Sequence, residues 1–175
     1  MTQPLDLLCD RLDTPVGGLD LVADQSGRLC AAEWCDHRDR LERALRLQFG
    51  AGGYRLRNTA NPGGITAALA AYFRGELRAI DDLQVAARGT QFQRAVWDEL
   101  RRIPCGETIT YAALARRVGR PTAVRAVGHA NGANPVSVVV PCHRVVGTDG
   151  RLTGYGGGIE RKCWLLAHEQ GAGAR

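Results

Sequence analysis

The run Val136-Ser137-Val138-Val139-Val140, held between Pro135 and Pro141, constrains this chain more than any other feature. So many β-branched apolar side chains in a row cannot be left in water, so the segment reads as a buried strand or extended stretch of a packed interior. Pro141-Cys142-His143-Arg144-Val145 follows at once, which puts a thiol where the chain leaves the core and an imidazole beside it. A buried cysteine is ordinarily an inert small hydrophobe, but the adjoining histidine and the proline that fixes the preceding backbone single this one out. Neighbours on an extended segment point to opposite sides, so His143 is expected to reach the Cys142 thiol through a bridging water.

The residues before this run read as helical. Thr90 with Gln93 three positions on forms a capping box, and Phe92, Val96, Leu100 and Ile103 line one helical face up to Pro104. Thr110 to Val118 reads as a short helix capped by Gly119, and Pro121 opens another over Thr122 to Asn131, closed by Gly132. Two short helices joined through Gly119-Arg120-Pro121 make a helix-turn-helix. The second offers alanine and glycine, with Arg125 its one long polar side chain, whereas a major-groove reader needs several such groups to pair with base edges. Small residues let a helix sit close in the minor groove, where readout is degenerate; equally, they let it pack against a neighbouring helix, and this helix alone does not decide between the two.

The N-terminal half has a different texture. Apolar runs around Leu5 to Leu12, Leu19 to Ala23 and Arg28 to Trp34 are separated by turn residues and predict a small antiparallel meander. Asp36 to Phe49 and Pro62 to Arg74 read as helices, Gly50 to Gly64 as loop, and Leu77 to Arg88 as a last short strand and connection. Charge divides the chain in the same way. Residues 1–87 carry 10 Arg against 12 acids, a net of −2, and residues 88–175 carry 12 Arg and Lys162 against 6 acids, a net of +7. Two α/β domains with that boundary are expected, and charge alone leaves the basic one either meeting a polyanion or presenting a solvated basic face. A chain of 175 residues that is 45% hydrophobic fits this globular reading. With no apolar run of membrane length and acids where a signal peptide needs a basic region, the protein is expected to be cytoplasmic with no membrane partner. The six cysteines then read as thiols.

Pro141-Cys142-His143-Arg144-Val145 resembles the active-site motif of the O6-alkylguanine-DNA alkyltransferases, the methylated-DNA-protein-cysteine methyltransferases. Arg125-Ala126-Val127-Gly128, Asn134-Pro135, Thr153-Gly154-Tyr155-Gly156-Gly157-Gly158 and Trp164-Leu165-Leu166-Ala167-His168-Glu169 fall in that family's order and spacing. The resemblance covers residues 88–170 closely and the N-terminal half loosely, through Leu12-Asp13-Thr14-Pro15 and Tyr72-Phe73-Arg74-Gly75-Glu76-Leu77. It implies a ribonuclease-H-like N-terminal domain and a C-terminal helix-turn-helix domain of winged-helix type.

It further implies a reaction. Cys142 would take the alkyl group from O6 of guanine, or O4 of thymine, and keep it, so each molecule acts once. His143 would draw the thiol proton through a water, and Glu169 would set its tautomer and favour its cation. Asn134 would hold the turn before the site. Tyr111 and the main chain at Val145 would meet the flipped base, and Tyr155, Gly156 and Gly157 would wall the pocket, with space at Gly156 for groups larger than methyl. Arg125 would fill the gap left in the stack, and Thr110, Tyr111, Ala123, Ala126 and Gly128 would line the DNA face. The partner implied is double-stranded DNA containing O6-alkylguanine, bound by a monomer; the sequence leaves open whether several copies load cooperatively. No cofactor is implied. Some relatives bind zinc, but Leu5, Asp24 and Leu29 stand at the corresponding positions, and Cys30, Cys35 and His37 lack a fourth ligand. A lesion sensor without repair activity is disfavoured by the presence of Cys142, and a cysteine hydrolase leaves the helix-turn-helix without a role.

Overall fold

Along the first strands apolar and polar residues alternate, and the register turns that alternation into faces. In the computed structural model, which describes residues 3–172, β1 (Leu5–Thr14) pairs antiparallel with β2 (Gly17–Ala23), and β2 with β3 (Leu29–Trp34). Leu7 and Val22 emerge on one side, where α1 (Arg38–Phe49) lays Leu41 and Leu45 over them to close a buried cluster with Ala31. The other side receives α2 (Ile65–Phe73), fastened where the Asp10 carboxylate accepts from the Asn61 N–H at 2.9 Å and the Thr66 hydroxyl at 2.6 Å.

Two expectations for this half are corrected. The stretch from Gly50 to Gly64 contains β4 (Tyr54–Asn58), which runs parallel to β1, so the sheet is mixed with order β3-β2-β1-β4. Four of the five β4 side chains are exposed at the sheet margin, so the strand needs no apolar run and left no pattern to read. Leu77 to Arg88 forms no strand; it contributes one bridge, between Leu29 and Val85.

The chain divides after Arg88 into two compact units. In the second, α3 (Gln91–Arg101) begins with the capping box, Gln93 N–H to the Thr90 hydroxyl at 3.1 Å and Thr90 N–H to the Gln93 side-chain oxygen Oε1 at 2.9 Å. Next come β5 (Ile109–Thr110), α4 (Tyr111–Arg117) and α5 (Val124–Gly132). Thr110 caps α4 by accepting from Ala113 N–H, and Gly119 supplies the left-handed backbone, φ 71°, at which the chain turns between the two helices. On α5, Val127, Ala130 and Asn131 face inward, and Trp97 of α3 donates its indole N–H to the Ala130 carbonyl at 2.8 Å. β6 (Val145–Val146) pairs parallel with β5, and α6 (Ile159–Ala172) completes the unit.

The Val136–Val140 run is buried throughout, as expected, but it is a turn and not an extended segment. Its polar backbone atoms find partners within the loop itself, the Val140 N–H donating to the Val136 carbonyl at 3.0 Å and the Val139 N–H to that of Ser137 at 2.9 Å. Val138 sits at φ 72°, a conformation that costs a β-branched residue free energy and persists only where its surroundings impose it.

Candidate active site

Asn134 is what imposes it. Its Nδ2 donates to the carbonyls of Val140 at 2.8 Å and Val136 at 3.3 Å, and its Oδ1 accepts from the Val136 N–H at 2.9 Å. One buried side chain thus clamps both ends of the loop that delivers Pro141 and the single 3-10 turn Cys142–Arg144. That turn also corrects the geometry expected from an extended segment: three consecutive side chains fan around a tight helix instead of alternating. Cys142 and His143 are both buried, at 7% and 0% exposure.

The histidine points at α6. Its Nε2 lies 2.8 Å from Oε1 of Glu169, which is itself 1% exposed, and its Nδ1 has no hydrogen-bond partner within the protein. Burial pushes the Glu169 carboxyl up, but hydrogen bonds from His143 and Arg144 outweigh burial and hold it well below the usual carboxylate range. A carboxylate there fixes the tautomer: Nε2 carries the proton and donates it, leaving a lone pair on Nδ1. Burial pushes the His143 imidazole down, and the neighbouring Arg144 and Lys162 add to that, against the pull of Glu169. Glu169 thus pulls toward the cation, as expected, but burial, with Arg144 and Lys162 behind it, outweighs that pull and holds the imidazole neutral.

Around these groups the structure gathers most of the residues singled out in the sequence. Val145 is buried beside the turn, and Tyr111, at the start of α4, carries a phenol whose pKa is raised by burial and by the nearby Cys142 thiol. The Tyr111 hydroxyl donates to the Thr153 carbonyl at 3.4 Å. Gly157 is buried and its carbonyl accepts from Arg161, while Tyr155 and Gly156 are half-buried in the loop before α6. On α5, Arg125 and Ala126 are exposed, Ala123 is half-buried, and Gly128 turns toward α4, where an added Cβ would stand 3.9 Å from the Tyr111 ring.

Two members of the cluster were not anticipated. Arg144, 7% exposed, grips Glu169 with two nitrogens, and Lys162, fully buried, donates its ammonium to the carbonyls of Val145 at 2.6 Å and Thr153 at 3.2 Å. Burial lowers the Lys162 pKa. Signals existed for both: an arginine directly after the histidine, in a segment otherwise apolar enough to be buried, and the one lysine in a chain of 22 arginines. Among the described residues no group of three His, Cys, Asp or Glu side chains converges in the manner of metal ligands.

Fold and site together define a helix-turn-helix protein built around a buried cysteine flanked by a histidine–carboxylate pair. Residues 7–87 match the family described as 6-O-methylguanine DNA methyltransferase, ribonuclease-like domain, and residues 91–171 its DNA binding domain. A methylated-DNA-protein-cysteine methyltransferase of Salmonella typhimurium is 53% identical over 165 residues, 94% of this chain and 96% of its own. The O6-methylguanine methyltransferase of Mycobacterium tuberculosis has a crystal structure similar to this one with a TM-score of 0.77 at 38% identity, over 95% of this chain and 94% of that one. A structure of the mycobacterial protein in complex with DNA gives 0.79, also at 38% identity, over 96% and 94% of the two chains. The chain belongs to the 6-O-methylguanine DNA methyltransferase family.

Proposed function

We propose that this protein repairs alkylated DNA by direct reversal, moving a methyl or larger alkyl group from O6 of guanine, or O4 of thymine, onto Cys142. The observation that carries this reading is the buried Cys142 turn next to a neutral His143 whose unpartnered Nδ1 is free to accept a proton. A bridging water passes the thiol proton to that nitrogen, and the sulfur attacks the alkyl carbon. The carbon–sulfur bond forms as the carbon–O6 bond breaks, the electron pair leaves on the guanine, and the Tyr111 hydroxyl donates to the purine. Since a thioether offers no leaving group, each molecule acts once.

The alkyl carbon lies inside the duplex, so the nucleotide must rotate out of the stack to meet a buried sulfur. Exposed Arg125 suits the role of filling the gap, and the small residues of α5 suit close approach in the minor groove. Tyr155, Gly156 and Gly157 wall the pocket, and the absence of a side chain at Gly156 leaves space for groups larger than methyl. The protein works as a monomer in the cytoplasm on double-stranded DNA. Among the described residues no helix is long and apolar enough to cross a membrane.

Incubation with a duplex bearing one O6-methylguanine is expected to add one methyl per protein on the Cys142 peptide and restore guanine, as read by intact mass and peptide mapping. Cys142→Ala is expected to keep lesion binding and lose transfer. Repeated turnover, or methyl transfer by that variant, would refute the acceptor assignment.

A further inference from the structure

Both oxygens of Glu169 are occupied by the residue that follows His143. Arg144 donates Nε to Oε2 and Nη2 to Oε1, each at 2.9 Å, and sends its remaining arm, Nη1, to the Ile103 carbonyl at 2.6 Å just beyond α3. The guanidinium is thereby held by α6, by the end of α3 and by its own turn, with 8% of its side chain exposed. A planar fork of this kind matches a carboxylate and stays charged at every working pH.

His143 bonds to the same carboxylate. An imidazole facing an uncompensated buried carboxylate is drawn toward its cation, and an imidazolium has no lone pair with which to take a proton. The charged or titratable groups around His143 are Glu169 and Lys162 from α6 and Arg144 and Cys142 from its own turn, while the end of α3 brings the Ile103 carbonyl. One carboxylate stands against two cations, which leaves no negative charge to hold a third.

From this geometry we infer that Arg144 is a positioning residue of the transfer reaction: by neutralising Glu169 it lets the carboxylate orient His143 through Nε2–H without charging it, so that Nδ1 remains an acceptor. The inference rests on the reading of Cys142 as acceptor and His143 as its base. It divides the work among three adjacent side chains. The carboxylate selects the tautomer, the guanidinium cancels the carboxylate's charge, and the imidazole is left as a base that works at neutral pH.

The test is an NMR titration of the His143 ring in the full chain, alongside single-turnover transfer rates against pH on an O6-methylguanine duplex. Arg144→Met is expected to raise the His143 midpoint by about one pH unit or more and to move the acid limb of the rate profile upward with it. Arg144→Gln, which keeps a donor beside Glu169 and serves should the methionine variant not fold, is expected to raise it likewise. Adding Glu169→Gln to either variant is expected to return the midpoint to its low wild-type position, a restoration that a merely structural role for Arg144 does not produce. A midpoint unmoved by loss of Arg144, or one that stays raised in the double variant, would overturn the inference. Lack of methyl transfer by the wild type would instead sink the acceptor reading, and the ring titration would still decide what Arg144 does.

Discussion

Asn134 shows how one side chain can secure a reactive backbone. Three hydrogen bonds made by a single buried amide hold the ends of a loop in which Val138 is forced to positive φ, so the amide opposes the strain of that residue through Val136 and Val140 on either side of it. Asn134→Ala leaves buried backbone groups without partners, and a stability loss of about 1–3 kcal/mol in urea unfolding is expected, with transfer slowed further because Cys142 is no longer aimed. The buried pair on the other side of the thiol carries its own pH signature. His143 has a folded pKa below its unfolded value, as does Glu169, so in both cases the unfolded chain binds more protons in the interval between the two values. Their contribution is fully present above the unfolded pKa values and is lost on acidification. The urea midpoint is expected to begin falling below about pH 6.5, where unfolded histidine protonates, and to fall more steeply below about pH 4.3, where unfolded glutamate does. A flat midpoint from pH 7 to 5 would contradict the neutral assignment of His143.

At the scale of elements, the second unit depends on how its helices begin and end. The capping box at Thr90 satisfies two N–H groups at the start of α3, the helix whose Val96, Trp97 and Leu100 are buried and whose Trp97 bonds to α5. Thr90→Ala is expected to cost about 1 kcal/mol in denaturant unfolding without altering the rate of transfer, because the cap lies away from the thiol. α5 divides its faces by the same logic. Val127 and Ala130 face the interior and Arg125 and Ala126 the solvent, so an alanine-rich helix can pack inward and still offer small side chains outward. The two readings of that composition are compatible, one for each face.

Across the whole molecule, charge is distributed unevenly along the chain. The net of +7 carried by residues 88–175 predicts duplex binding that weakens steeply with salt, as phosphate neutralisation requires. Arg125→Ala is expected to slow transfer from duplex DNA while leaving the salt slope of binding unchanged, since a side chain inserted in the stack neutralises no phosphate; a slope lower by about 1 would make it a phosphate contact instead. The three strands β1 to β3, both N-terminal helices, the capping box, the helix-turn-helix and the cysteine motif could all be read from residue order, because each is written in local periodicity or in a cap. β4 could not, since an exposed strand paired along one edge needs no apolar pattern. Nor could the path of Val136 to Val140, for apolar content dictates burial, whereas the turn depends on a side-chain clamp from Asn134. The same holds for charge. The sequence alone determined that a thiol, an imidazole and a distant carboxylate were available, but only the tertiary structure decided the protonation of His143, because that depends on burial of the ring and on Arg144 meeting Glu169, 25 residues away along the chain.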